Sequence, residues 1–124
     1  MNYDNLPIYK LALDLCVYVE TIVKSFDKYF KYSVGSDLRE YSKQILFGIH
    51  KANRSYEKKI WLEKLVDRCE EFKMLVQLCK ELKAFKSFKQ FEYISKKSVE
   101  LAKQSQAWLN YFLKQDKSSV GVLR

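Results

Sequence analysis

Little in this chain interrupts a backbone. Its 124 residues hold one Pro and three Gly. That is too few for the many turns of a β-sandwich or barrel, or for a Gly/Pro-rich linker between domains. Cysteine is scarce too: Cys16, Cys69 and Cys79 are odd in number and widely spaced. With no C-x-x-C and no Cys/His pair, neither a disulfide framework nor a zinc site is expected. Each instead falls on an apolar helical stripe, where a reduced thiol acts as a small hydrophobe.

The one histidine, His50, has no Cys, Asp or Glu at ligand spacing. It reads as a partly buried helical residue. The Glu-x-x-His pairs that hold two metals in a bundle are missing. There is no Gly-rich phosphate loop, and Glu70 and Glu71 are adjacent on a helix, so they point apart. No catalytic residue, metal or cofactor is therefore expected, and the chain reads as non-enzymatic. Its apolar runs are too short to span a bilayer, and the start MNYDNLPIYK lacks the apolar core of a signal peptide. The expectation is a cytoplasmic protein that does not enter a membrane.

What the chain does have is helical periodicity. Ile8, Leu11, Ala12, Leu15, Cys16, Val19, Ile22, Val23, Phe26 and Phe30 recur at steps of three and four, predicting a helix over 7–30 after an Asn5 cap. Gly35 marks the turn, and a second helix starts near Ser36 or two to three residues earlier, with Asp37 in its first turn. Its stripe is Leu38, Tyr41, Ile45, Gly48, Ile49 and Ala52, and Gly48 marks a close approach by a neighbouring helix. After the polar run 53–59, a third helix carries Leu62, Leu65, Val66, Cys69, Phe72, Val76, Cys79 and Leu82. Ser87 and Gln90 fit a capping box for a fourth helix starting near Phe88, with Phe91, Ile94, Ser98, Leu101, Ala102, Ser105, Leu109 and Phe112 on its stripe. Four helices with short connections predict an all-α, antiparallel up-down four-helix bundle. It is one domain over 1–124, with a core over about 6–114 and a mobile tail over 115–124.

The net charge is +8, with a pI near 9.3 and Arg only at 39, 54, 68 and 124. A lysine-rich surface suits an anionic partner whose phosphates are neutralised without base readout. Up-down topology brings the first and third connections to one end. Lys24, Lys28, Lys31, Lys80, Lys83, Lys86 and Lys89 then share that end, with Asp27 and Glu81 opposing them. Tyr29, Tyr32, Phe85 and Phe88 are interleaved there, a pattern suited to RNA or single-stranded DNA. The other end is also basic, through Lys51, Arg54, Lys58, Lys59, Lys114 and Lys117, and a merely solvated helix-end surface is the competing reading. Two Trp, nine Tyr and eight Phe exceed what a narrow core holds. Trp61, Tyr93, Trp108 and Tyr111 lie off the stripes and are candidate contacts of a homo-oligomer.

The stretches LPIYKLALDL, FDKYFKYSVGSDLREYSKQILFGIHKAN and LAKQSQAWLNYF resemble the 23S rRNA intervening-sequence proteins, bacterial four-helix proteins. They form a superfamily with the accessory variability determinant of diversity-generating retroelements. Tyr9, Lys10, the aromatic-basic approach to Gly35, Ala52-Asn53 and Trp108 carry the resemblance over about 6–113. Asp27 stands where the family often has Pro, and Ser105 and Ala107 where it often has Gly. The resemblance implies a ring-shaped homopentamer with a positive surface, working in retroelement members with a reverse transcriptase and its template RNA. Two functions follow as expectations: a basic, oligomeric nucleic-acid-associated protein, or an oligomeric protein-interaction scaffold whose lysines serve solubility.

Overall fold

A computed structural model describes residues 6–123, with side chains through residue 116. It contains four long helices and one short one: α1 Pro7–Val23, α2 Lys28–Lys31, α3 Val34–Arg54, α4 Lys58–Glu81 and α5 Phe88–Leu123. Helix α3 packs on α1 and α4, and α5 packs on α4 and closes back on α1. The result is an all-α, antiparallel up-down bundle, with no strand among the described residues.

Most of the stripe residues form the core, while Leu82 is exposed and Leu11, Phe30, Tyr41, Val66, Phe91 and Phe112 are half-buried. Ile8, Ala12, Leu15, Val19, Ile22 and Val23 of α1 meet Leu38, Ile45 and Ile49 of α3. Leu65, Cys69, Phe72, Val76 and Cys79 of α4 and Ile94, Leu101 and Ala102 of α5 complete it. Three serines are buried, Ser98 and Ser105 on their stripe and Ser42 beside the stripe of α3, and each hydroxyl donates to the carbonyl three residues back: Ser42 to Arg39, Ser98 to Ser95 and Ser105 to Ala102. They satisfy themselves within their own helix and leave room for the facing one. Among the described residues no buried side-chain polar atom lacks a partner.

The structure corrects the sequence reading at three places. The helix expected over 7–30 breaks after Val23. Ser25 donates its hydroxyl to the Ile22 carbonyl at 2.6 Å, and Ser25 N–H and Phe26 N–H bond three residues back. Asp27 is then extended, and α2 resumes for one turn. Ser25 competes with the helix ladder through this local hydrogen bond, while the Asp27 carboxylate is turned to Lys86. The break turns Phe26 into the core, edge-on to Phe85 at 5.8 Å between ring centres.

Gly35 is not a turn residue, and Ser36 is not the cap of α3. The helix takes the earlier of the two expected starts, at Val34 with Ser33 ahead of it, and Gly35 has ordinary helical φ. What Gly35 supplies is the missing Cβ. That atom would stand 2.8 Å from the Phe30 carbonyl oxygen and 2.9 Å from Val23 Cγ1, so α2 can lie directly on the first turn of α3. At Gly48 the expected close approach is present, since a Cβ there would meet Leu65 Cδ1 at 3.3 Å.

Third, α5 does not end near Lys114: its backbone runs as helix to Leu123. The Asn5 cap, the side chains of 117–123 and Arg124 lie outside the described residues, and the mobility expected of 115–124 bears largely on them.

Candidate nucleic-acid interface

The end formed by 24–33 and 82–87 is built by two helix terminations. Helix α4 stops in a Schellman motif. Ala84 N–H bonds to the Cys79 carbonyl and Lys83 N–H to that of Lys80, both at 3.0 Å, with Ala84 and Cys79 buried together. The residue between must be left-handed, and it is Lys83, at φ 62°. This is the position where Gly is normally found, and a side chain there costs about 1 kcal/mol. Helix α5 starts on the expected cap: Ser87 Oγ accepts from Gln90 N–H at 3.3 Å. The Gln90 side chain reaches back to the Lys86 N–H at 2.9 Å.

A row of rings leads outward from the core here. Buried Phe26 touches Phe85, Phe85 lies 6.0 Å from Phe91, and Phe91 lies 5.8 Å from Phe88. Phe88 is 67% exposed, and across the same end Tyr29 and Tyr32 are 79% and 72% exposed. Lys80 Nζ sits 4.7 Å over the Phe91 ring. A depression of about 190 Å³ is lined by Lys80, Lys83, Phe85, Phe88 and Phe91.

The expected lysines do not form one patch. Lys80 and Lys83 border the Phe88 depression. Lys24 and Lys31 border a separate one of about 120 Å³, together with Glu20 and Arg39. Lys86 is neutralised by Asp27 at 2.6 Å, a bond that ties the first connection to the third. Among the described residues no ion pair engages Lys24, Lys28, Lys31, Lys80, Lys83 or Lys89. Beside Lys24, Glu20 bridges Arg39 at 3.0 Å and Lys43 at 3.4 Å. Burial raises its pKa, but hydrogen bonds from Arg39 and Lys43, with their charge, outweigh that and hold the carboxyl below its usual range.

At the opposite end Lys58 Nζ donates to the Ala52 and Asn53 carbonyls at 3.1 and 2.6 Å, capping the C-terminus of α3. Lys51 lies 5.1 Å over Trp61. The side chain of Lys117 lies outside the described residues.

Of the candidate oligomer contacts, Trp61 and Trp108 are half-buried and pack within the chain, around Ala52, Leu62 and Leu109. Tyr93 stacks on Tyr18 at 4.1 Å, while Tyr111 is exposed. Cys69 and Cys79 are buried and Cys16 is half-buried, with its thiol donating to the Ser42 carbonyl at 3.3 Å. Burial pushes the Cys69 thiol up to about 11 and the Cys79 thiol up to about 12. His50 is exposed on α3 rather than partly buried. Among the described residues no three His, Cys, Asp or Glu side chains gather as a metal site. Among them, too, no helix is long and apolar enough to cross a membrane.

No family model matches the chain, and neither a curated protein nor a solved structure matches it. The resemblance to intervening-sequence proteins therefore rests on the residues that carry it.

Proposed function

We propose that this protein is a non-catalytic nucleic-acid-associated protein that holds single-stranded RNA or DNA at the 24–33/82–87 end of the bundle. The observation that carries the reading is the coincidence of Tyr29, Tyr32 and Phe88, exposed on a folded end, with six lysines that no carboxylate engages among the described residues. Bases stack on exposed rings in a sequence-tolerant way, and ammonium groups neutralise the phosphates between them. Phe88 suits this role because Phe91, Phe85 and Phe26 back it down to the core, so the platform is held in place before a strand arrives. Lysines on two depressions, about the Phe88 ring and beside Arg39, offer a strand two contact regions. The resemblance adds a ring-shaped homo-oligomer and, in its retroelement branch, a reverse transcriptase with its template RNA.

Titration of a labelled single-stranded RNA at increasing salt tests this. The expected slope of log K against log salt is about −2 to −4, for roughly three to six phosphates on a single strand. No binding at low salt would remove the reading.

A second reading is favoured by a different observation. Val17, Phe47, Met74 and Leu78 are large apolar side chains left exposed on the helix faces, a pattern of protein-contact surfaces. Self-association through them is compatible with either function. A mass of 14.8 kDa by light scattering at micromolar concentration would exclude it.

A further inference from the structure

On the α3–α4 face, toward the 55–57 connection, lies a cleft of about 260 Å³ that the 24–33/82–87 end does not include. Its floor exists because residue 48 is Gly: a side chain there would crowd Leu65. Phe47, 60% exposed, walls one side, and Trp61 stands on the other. Lys51 and Lys64 both hold their ammonium groups over the Trp61 ring, at 5.1 and 4.4 Å from its centre. Arg68 also lines the cleft, sharing its charge with Glu71 at 3.1 Å. Among the described residues no carboxylate lines the cleft, and none pairs with Lys51 or Lys64.

Two ammonium groups drawn to one ring repel each other, and the ring's face compensates them only in part. A bound anion would complete the cluster. The apolar floor and the Phe47 wall then ask for a ligand that is flat and apolar beside its charge. The size admits about one nucleotide. Gln44 also lines the cleft, its amide N–H donating to Glu40 Oε1 at 3.4 Å and its amide oxygen left to accept from a base edge.

We propose that this cleft takes a single phosphorylated nucleotide unit, with its base against Phe47 and Gly48 and its phosphate on Lys51 and Lys64. The ligand is a free mononucleotide or the phosphorylated end of a strand. This site stands apart from the Phe88 end and does not depend on binding there.

Trp61 is its reporter. In a Trp108→Phe protein, Trp61 is the only tryptophan left. Titration with AMP, and separately with a 5′-phosphorylated oligothymidylate, is expected to quench its fluorescence. Quenching by both assigns a free nucleotide, and quenching by the oligonucleotide alone assigns a strand end. Lys51→Ala and Lys64→Ala, both exposed positions with helical content checked by circular dichroism, should each weaken binding about tenfold. Calorimetry on the otherwise unaltered chain should show the same loss. Charge reversal of Lys24, Lys83 and Lys89 should leave AMP binding unchanged, so failure at the Phe88 end and failure here are separable. Absence of quenching by either probe at low salt, or equal binding in the Lys51→Ala/Lys64→Ala protein, overturns the proposal. Inorganic phosphate or polyglutamate competing as well as AMP also overturns it, since the base would then contribute nothing.

Discussion

At the 24–33/82–87 end, six lysines stand without ion pairs among the described residues, around three exposed rings, while Lys86 alone is tied to Asp27. At the 55–57 end, Lys58 is bound to the last carbonyls of α3, Lys51 lies on Trp61, and Tyr56 is the single aromatic in the turn. Both ends are basic in sequence. Arg54, Lys59 and Lys114 have no ion pair among the described residues either, so the ends differ in the capping role of Lys58 and in the exposed rings beside the lysines of the first. A lysine that caps a helix contributes to stability and is withdrawn from a partner, whereas one left in water beside a stacking ring remains available. Counting lysines therefore locates a binding surface poorly; asking which unengaged lysines stand beside exposed rings locates it better.

The largest expected effect bears on how the first end is built. Gly35→Ala places a Cβ against the Phe30 carbonyl and Val23. It should cost about 2–3 kcal/mol in urea unfolding, by overpacking of α2 on α3. An unchanged midpoint would mean that α2 is not seated there, and that Tyr29 and Tyr32 are not held as described.

Next comes the thiol beneath the same end. Cys79 has its folded pKa pushed up by burial to about 12, from an ordinary 9.0. The unfolded chain then ionises first as pH rises past 9, so stability is full below that pH and falls above it. By about pH 11 the loss from this thiol should be about 2–3 kcal/mol. Cys79→Ala should flatten the alkaline limb of the stability curve. An identical limb in that protein would show that the thiol is not responsible.

At the other end, Lys58→Ala should cost about 1 kcal/mol, since a charged donor to two helix-end carbonyls is lost. Lys24→Ala or Lys89→Ala should stay within about 0.5 kcal/mol, as for exposed side chains elsewhere. Equal costs for Lys58 and Lys89 would erase the distinction between the two ends.

Smaller still, Lys83→Gly should stabilise the fold by about 0.5–1 kcal/mol, by relieving a left-handed side chain. If this lysine serves a strand, the same change should weaken binding while it strengthens the fold. Stabilisation without any loss of binding would remove Lys83 from the interface.

The four long helices were legible because their apolar residues keep helical spacing over many turns. Leu15, Ile45, Phe72 and Ile94 are core residues on that basis alone. The break at 24–27 was hidden because Phe26 and Phe30 continue the spacing of α1 straight through it. The Schellman turn was hidden because its left-handed position carries Lys83 rather than Gly. At the candidate interface, topology brought the first and third connections to one end, but not their lysines into one patch. The Asp27–Lys86 bond and the division of the lysines between two depressions depend on side-chain reach, which spacing does not encode. The Gly48 cleft was legible only in part: a small residue on the stripe marked a close approach, but nothing local joins Lys51 to Lys64 across Trp61.

The most direct test of the difference between the two ends is to reverse charge at each separately and compare single-stranded RNA binding across a salt series. One protein carries Lys24→Glu, Lys83→Glu and Lys89→Glu; the other carries Arg54→Glu, Lys59→Glu and Lys114→Glu. Both keep Lys58, so both should fold. The first protein should lose most of its affinity, and its salt slope should flatten by about 2, for one lost phosphate contact per lysine. The second should bind within a few-fold of the unaltered chain, through general charge alone. Equal losses in the two proteins, or a larger loss in the second, would contradict the assignment of the strand to the 24–33/82–87 end.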